Sequence, residues 1–299
     1  MAGHRDRDRP ASHPLPRSRA RQVAGRALAL VVAIVIGGCA FLSEQQGELI
    51  FRPTRDAWWG FDRSRYAFQD EWIELGHEGG KLHGWWLPAA RADAPVLLYL
   101  HGARWNLTGS VTRIERWQRL GFSVLAVDYR GFGESANVAP TEALAYEDAE
   151  AAWAELARLA PGKPRYIVGH SLGGAIAVEL ARRHPEAAGL VLEATFTSVQ
   201  DMISRSPWGF LPVSLILTQR FDALSKIGEV KVPVIVAHGT RDSVVPFEMG
   251  EELYDAVRAP KRFVRVEGAN HHNLNGAGFD QYRDAIAQLF HVKAPAAGG

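Results

Sequence analysis

The sequence of 299 residues has little cysteine and no recognisable metal-binding pattern. Its one cysteine, Cys39, excludes an intrachain disulfide, so the redox compartment is not indicated by cysteine pairing. The eleven histidines form neither a His-Glu-x-x-His motif nor a clustered Cys/His spacing. We therefore expect no metal and no cofactor. No internal repeat is present either.

The net charge of +1 conceals an uneven distribution. Residues 1–26 hold seven of the 34 Lys and Arg residues and two of the 33 Asp and Glu residues. The rest of the chain is mildly acidic and lacks a basic stripe with interleaved aromatic residues, which nucleic-acid binding needs. We therefore expect no nucleic-acid partner. With 47% hydrophobic residues, a chain of this length can bury the core of one α/β domain.

The N-terminal region has the residue order of an export signal. A segment rich in arginine, 17–26, precedes the apolar run ALALVVAIVI and then GGCA. This order resembles a bacterial lipoprotein signal, in which Ile36-Gly37-Gly38 precedes a lipidated cysteine, here Cys39. The resemblance implies that residues 1–38 are removed and that a lipid anchor holds an exported protein at a membrane. The alternative is an uncleaved transmembrane anchor, because the uncharged stretch 27–43 lies at the short limit for spanning a bilayer.

Beyond Cys39 we expect a tether and lead-in over 39–60, one folded domain over 61–290 and a flexible tail over 291–299. Two strand-like runs, EWIEL and KLHGWWLP, come first in the domain. After residue 95, short apolar runs alternate with segments of helical periodicity, which are predicted near 109–120, 141–160, 171–184, 246–257 and 278–290. This alternation predicts an α/β fold with a mostly parallel sheet covered on both faces.

A serine flanked by glycines stands between a strand pattern and a helix pattern in YIVGHSLGGAIAVELARR. Gly169 and Gly173 lie two residues before and after Ser171. Gly-x-Ser-x-Gly at such a junction is the nucleophile-elbow pattern, in which a strained turn exposes the serine hydroxyl beyond the end of a sheet. Read alone, the five residues also fit an ordinary glycine-rich turn, so the other strand ends decide between the two interpretations.

Other strand ends carry an acid and histidines. Asp242 follows PVIVAHG, and His271 and His272 follow RFVRVEG. Because working residues of parallel sheets gather beyond the carboxyl ends of strands, we expect these side chains near Ser171. The chain order Ser, Asp, His is that of one class of triad folds.

With the motifs YLHGARWNL, DYRGFGES, GHSLGG, HGTRDSVVP and GANHHN, the sequence resembles the α/β-hydrolase superfamily over most of residues 45–290. The nearest resemblance is to a short-lidded branch that includes hydrolases of lysophospholipids and monoacylglycerols, and protein depalmitoylases. The resemblance implies an α/β-hydrolase fold with a catalytic triad of Ser171, Asp242 and His271. The backbone N–H groups of Ala103 and Leu172 would form the oxyanion hole. Many relatives have Asn and Gly where this chain has Ala103 and Asn270.

Competing assignments exist for two of the three triad positions. His272 competes with His271, and we prefer His271 because the resemblance implies a catalytic histidine three residues after a glycine, here Gly268. Asp201 and Asp222 follow no predicted strand, and Asp128 in VDYRG is expected to be structural. His101, His170 and His238 are expected to pack or form hydrogen bonds.

An apolar insert over about 196–230 follows the strand pattern GLVLEA, at the position where hydrolases carry a short lid. We expect Trp208, Phe210 and Leu211 to contact substrate there, since an apolar wall favours acyl groups. An ordinary helix packed on the sheet is the alternative.

The sequence therefore predicts a serine hydrolase that cleaves a carboxylic ester or thioester through an acyl-serine intermediate. The substrate would be a small or lipid-like ester. One alternative is a serine aminopeptidase or amidase, and the other is a catalytically silent hydrolase fold that serves as a binding module.

Overall fold

The computed structural model describes residues 17–76, 79–207, 209–210 and 216–292. The chain divides into two compact units, Met1–Leu42 and Ser43–Gly299. In the described part of the chain, no helix has both the length and the apolar character to cross a membrane.

The described strands form one eight-stranded sheet in the order β1-β2-β4-β3-β5-β6-β7-β8. The strands are β1 Gln69–Glu74, β2 Lys81–Leu87, β3 Val96–Leu100, β4 Ser123–Val127, β5 Arg165–His170, β6 Gly189–Glu193, β7 Val234–Gly239 and β8 Lys261–Val266. The first two pairings are antiparallel, and all pairings from β3–β4 onward are parallel. This sheet confirms the predicted α/β-hydrolase fold.

The helices alternate with the strands. They are α1 Arg17–Phe51, α2 Leu107–Arg119, α3 Glu142–Leu159, α4 Leu172–Arg183, α5 Val199–Ser204, α6 Ala223–Ile227, α7 Phe247–Ala256, α8 Leu274–Ala277 and α9 Phe279–Leu289. The five predicted helical segments correspond to α2, α3, α4, α7 and α9, with ends that differ by one or two residues. The short helices α5, α6 and α8 span too few residues to show a helical period.

The continuous apolar strands are buried because helices cover both faces of the sheet. In β3, Leu98 and Leu100 belong to one core cluster, and Leu97 and Tyr99 belong to the other. Successive side chains of a strand point to opposite faces, so every position of such a strand is buried. This packing fixes the carboxyl ends of β3 to β8 along one edge, where the functional candidates lie.

Part of the segment before residue 61 contributes to the hydrophobic core. Helix α1 includes Cys39 and continues to Phe51, which is fully buried and contacts the rings of Phe132 and Phe221. The compact unit that contains the sheet spans Ser43–Gly299, and the expected bounds of the tether and of the folded domain stay predictions. The expected tail, 291–299, lies outside the described residues from position 293 onward.

Candidate active site

Ser171 lies at the junction between β5 and α4, with φ 54° and ψ −119°. A non-glycine residue in this region costs about 1–3 kcal/mol and persists only when its surroundings enforce it. Two backbone hydrogen bonds do so here: the N–H of Ser171 donates to the carbonyl of Glu193 at 2.8 Å, and the N–H of Gly174 donates to the carbonyl of Ser171 at 2.9 Å. The turn thus has the strain expected of a nucleophile elbow.

The two flanking glycines are required by close backbone approach. A Cβ atom on Gly169 would lie 2.6 Å from the backbone of Gly173 and Gly174. On Gly173 it would collide with the carbonyls of Leu100 and His101. Since these contacts are with backbone atoms, which cannot rotate away, a larger residue at either position would open the turn that presents Ser171.

Asp242 and His271 form a hydrogen-bonded pair on the loops after β7 and β8. The Nδ1 atom of His271 lies 2.8 Å from Oδ2 of Asp242, and His271 is 5% exposed. The other carboxylate oxygen, Oδ1, accepts hydrogen bonds from the backbone N–H groups of Val244 and Val245, both at 2.8 Å. Because a carboxylate accepts, the neutral imidazole of His271 carries its proton on Nδ1 and its lone pair on Nε2.

The environment of Asp242 keeps its carboxyl ionised. Burial alone would raise the pKa of Asp242, but hydrogen bonds from His238 and His271 and from the N–H of Val245 hold that pKa well below its usual range. The Nε2 atom of His238, which is fully buried, lies 3.4 Å from Oδ2 of Asp242. An ionised carboxylate is the form that orients a neutral imidazole and stabilises an imidazolium.

His271 and His272 are neighbours in the chain but have different environments in the structure. His272 is exposed, and its backbone N–H donates to the side chain of Asn270. Each competing carboxylate has a local structural partner. Asp201 accepts from Thr197, Asp222 caps α6 through the N–H of Ser225, and Asp128 accepts from the N–H of Leu107 at the start of α2.

The loop after β3 lies against the serine. A Cβ atom on Gly102 would be 3.1 Å from Cβ of Ser171. Nδ1 of the buried His101 donates to the carbonyl of Gly102 at 2.7 Å, which fixes the peptide plane that carries the N–H of Ala103. Leu172 is the first residue of α4, so its N–H has no acceptor within the helix. Both predicted oxyanion donors therefore belong to segments adjoining Ser171.

The expected substrate contacts are described only in part. Trp208 and Leu211 lie outside the described residues, and Phe210 is 78% exposed. At the loop of Asp242 is an open cavity of about 470 Å³, lined by Met202, Val244 and Phe247 together with polar residues that include Arg205 and Glu248. Contact between Phe210 and an acyl chain stays a prediction.

Sequence reasoning missed a buried ion pair that connects the serine and histidine loops. Arg113 of α2 lies 3.4 Å from the carboxylate of Glu193, and its guanidinium also donates to the carbonyls of His271 and His272 at 3.4 and 3.2 Å. The carbonyl of Glu193 in turn accepts from Ser171. A charged residue at the end of the apolar strand GLVLE was a usable signal for Glu193, whereas Arg113 resembled any surface residue of a helix.

His170 also supports the histidine loop. Its Nε2 atom donates to the carbonyl of His271 at 3.1 Å. Burial and the nearby charge of Arg113 lower the pKa of His170 well below its ordinary value, so this ring is neutral near pH 7. Among the described residues, no group of three or more His, Cys, Asp or Glu side chains is placed to hold a metal ion.

Comparison with known proteins gives relatives consistent with this geometry. The family model described as serine aminopeptidase, S33, matches residues 91–222. An uncharacterized protein of Mycobacterium tuberculosis H37Rv is 33% identical over 250 residues, which are 82% of this chain and 87% of that protein. Lysophosphatidylserine lipase ABHD12 of Danio rerio is 31% identical over 198 residues, or 59% of this chain, and the match spans about half (51%) of that lipase.

Solved structures share the fold at lower sequence identity. Pyrococcus furiosus esterase Pf2001 aligns with a TM-score of 0.62 at 20% identity, covering 81% of this chain and 99% of the esterase. Est1E of Butyrivibrio proteoclasticus aligns with a TM-score of 0.57 at 17% identity, covering 74% of this chain and 97% of Est1E. Together with the sheet order and the relative that matches along most of both chains, these similarities establish that the chain belongs to the α/β-hydrolase superfamily and is a hydrolase with lipase and esterase relatives.

Proposed function

We propose that this chain is a serine hydrolase that cleaves carboxylic esters or thioesters of acyl groups, with Ser171, His271 and Asp242 as its catalytic triad. The observation that carries the proposal is the buried hydrogen bond between Asp242 and His271. His170, the residue before Ser171, also donates a hydrogen bond to the backbone carbonyl of His271. A histidine and an aspartate that only paired on the protein surface would not need to be buried or to be bonded to the segment of Ser171. A strained serine at the junction of a strand and a helix supports the same role.

In the acylation step, Nε2 of His271 accepts the hydroxyl proton as Oγ of Ser171 attacks the acyl carbon. The carbonyl oxygen becomes an oxyanion, toward which the N–H groups of Ala103 and Leu172 donate. Ionised Asp242 stabilises the imidazolium that forms on His271. When the tetrahedral intermediate collapses, the bond to the leaving oxygen or sulfur breaks, and His271 returns its proton to the departing alcohol or thiol.

In the deacylation step, a water molecule replaces the alcohol. His271 accepts a proton from the water as its oxygen attacks the acyl-serine carbonyl, and the same two N–H groups stabilise the second oxyanion. Collapse breaks the bond to Oγ of Ser171, which takes the proton back from His271. The products are a carboxylic acid and the free enzyme, so the cycle needs no cofactor.

The substrate class is proposed from the relatives and the apolar insert together. The relatives named lysophosphatidylserine lipase suggest a lipid-like acyl ester, and the exposed Phe210 and Ile216 provide apolar surface on the insert. Each methylene buried there would contribute up to about 0.8 kcal/mol. We therefore expect kcat/KM to rise with acyl length and then to level off at medium length.

The amidase alternative is favoured by one observation, the family model named for serine aminopeptidases. A hydrolysis panel separates the two activities: acyl esters of two to sixteen carbons, the matching thioesters and aminoacyl amides. Activity confined to amides would replace the ester proposal with the amidase. Equal rates across the ester series would show that the apolar insert does not determine a preference for acyl length.

The binding-module alternative is tested by labelling. A fluorophosphonate probe should modify the wild-type chain and fail with Ser171→Ala. Ser64→Ala removes an exposed hydroxyl of a short turn and is the matched control, which should label normally. A wild-type chain that neither labels nor hydrolyses any member of the panel would leave the fold as a silent binding module.

We also propose that the chain is exported and attached to a membrane through a lipid on Cys39. The basic, apolar and small-residue order of the segment 17–40 supports this proposal. The alternative is that the same apolar stretch is not cleaved and serves as a single N-terminal transmembrane anchor.

A further inference from the structure

The segment from Gln46 to Thr54, which we call the brace, lies outside the matched family region of 91–222 and yet contacts both the loop that carries Ala103 and the end of the apolar insert. It consists of the last turns of α1 and the residues that follow. Its position is fixed by Phe51, which is fully buried and contacts the rings of Phe132 and Phe221, with centroids 6.2 and 5.5 Å away. The brace is therefore anchored in the domain core.

The first contact is with the return of the apolar insert. Nε2 of Gln46 donates to the carbonyl of Ile216 at 2.7 Å, and Oε1 of Gln46 accepts from the backbone N–H of Thr218 at 2.8 Å. One amide side chain thus satisfies a donor and an acceptor of the insert, as a neighbouring strand would. Leu217, between the two bonded residues, is buried in the core cluster.

The second contact is with the loop that carries Ala103. Arg104 has φ 79°, a left-handed conformation that is unfavourable for an arginine. Both its backbone groups are bonded to the brace: its N–H donates to the carbonyl of Phe51 at 2.7 Å, and its carbonyl accepts from the hydroxyl of Thr54 at 2.7 Å. These bonds hold in place a conformation that the loop would not otherwise prefer.

We propose that the brace positions the oxyanion loop through Thr54 and sets the acyl-binding side of the site through Gln46. The proposal rests on the proposed esterase function and deepens it. His101 fixes the peptide plane before Ala103, and the brace fixes the one after it, so the direction of the Ala103 N–H depends on both. The residue proposed to carry the lipid, Cys39, precedes Gln46 by seven positions in the sequence.

The oxyanion branch is tested with Thr54→Val, which keeps the side-chain volume and removes the hydroxyl. We expect kcat to fall by about 10- to 100-fold for short and long acyl esters alike, with KM unchanged. The affinity for a trifluoromethyl ketone, which forms an oxyanion on the serine, should fall by a similar factor. Thr54→Ser restores the hydroxyl and should recover both quantities.

A merely structural role for Thr54 would give a different result. It would lower the melting temperature and leave kcat and the ketone affinity of the folded fraction at wild-type values, which would overturn the oxyanion branch. Thermal unfolding of each variant is therefore measured beside the kinetics.

The insert branch is tested with Gln46→Leu in the full chain. We expect KM for long acyl esters to rise by about 5- to 10-fold, while acetyl ester turnover stays within about twofold of wild type, because one acyl wall is misplaced and the triad is not. Gln45→Leu is the matched control: Gln45 is exposed on the same helix and should leave both values unchanged. An unchanged acyl-length profile in Gln46→Leu would overturn this branch.

These outcomes are separable from failure of the proposed function. If the wild-type chain hydrolyses no ester and takes no fluorophosphonate label, the proposed function is wrong. If the wild-type chain does both and the Thr54 and Gln46 variants behave like it, only the role of the brace is wrong.

Discussion

His271 and His272 show at the residue scale how position selects between identical side chains. Only His271 is buried with its Nδ1 atom on an ionised carboxylate, and that contact gives it the tautomer a general base needs. We therefore expect His271→Ala to lower kcat by roughly 10⁴-fold or more, and His272→Ala to stay within a few-fold of wild type. Steady-state hydrolysis of a short acyl ester measures both. Loss of activity in His272→Ala alone would reverse the assignment.

Asp242→Asn is the companion change at the same scale. It removes the charge that stabilises the imidazolium and can present an amide N–H to Nδ1, which would favour the wrong tautomer. Turnover should fall, but less than in Ser171→Ala. An Asp242→Asn variant with wild-type kcat would mean that the acid lies elsewhere.

At the element scale, Glu179 connects α4, the helix that begins directly after Ser171, to α6. Its buried carboxylate lies 2.8 Å from Arg182 and 2.6 Å from Arg183, both on α4, and 3.0 Å from Lys226 on α6. Burial would raise the pKa of Glu179, but the hydrogen bonds from these cations lower it to about 2, from an ordinary value of 4.5. Folding therefore favours the ionised form of the Glu179 carboxylate.

The sign of this shift sets the pH dependence of stability. Because the folded pKa lies below the unfolded one, the contribution is complete above about pH 4.5 and is lost as the pH falls toward 2. Glu179→Gln should lower the free energy of unfolding by roughly 2–3 kcal/mol at pH 7, and its difference from wild type should shrink below pH 4.5. Urea unfolding at several pH values measures this. Asp280→Asn, which removes an exposed ion pair with Arg283, is the control and should change little. A Glu179→Gln effect independent of pH would contradict the assignment.

At the scale of the whole molecule, the proposed attachment through Cys39 predicts the form of the mature chain. Expressed in a bacterium that processes lipoproteins, the protein should begin at Cys39, carry acyl chains there and partition with membranes, because two or more acyl chains give stable anchoring. Cys39→Ser should remain unprocessed. Mass spectrometry of the N-terminus decides, and a mature chain that starts at any other residue would exclude the lipoprotein.

Much of the fold could be predicted because its signals are local. The buried strands are short apolar runs, the main helices have a clear period, and Gly169 and Gly173 mark a turn whose geometry excludes a Cβ atom. The order of Ser171, Asp242 and His271 along the chain then indicates a site, since parallel strands bring their carboxyl ends to one edge. Each of these inferences depends on residues a few positions apart or on a known topology.

The tertiary structure alone decided which residues support that site. Arg113 contacts the carbonyl of His271 across a separation of 158 residues, Gln46 contacts Thr218 across 172, and Thr54 contacts Arg104 across 50. No local period or propensity encodes such pairs, because each depends on backbone groups that become neighbours only after the sheet has formed. The sequence by itself determined the elements and the candidate side chains, and packing determined the hydrogen bonds that hold them in position.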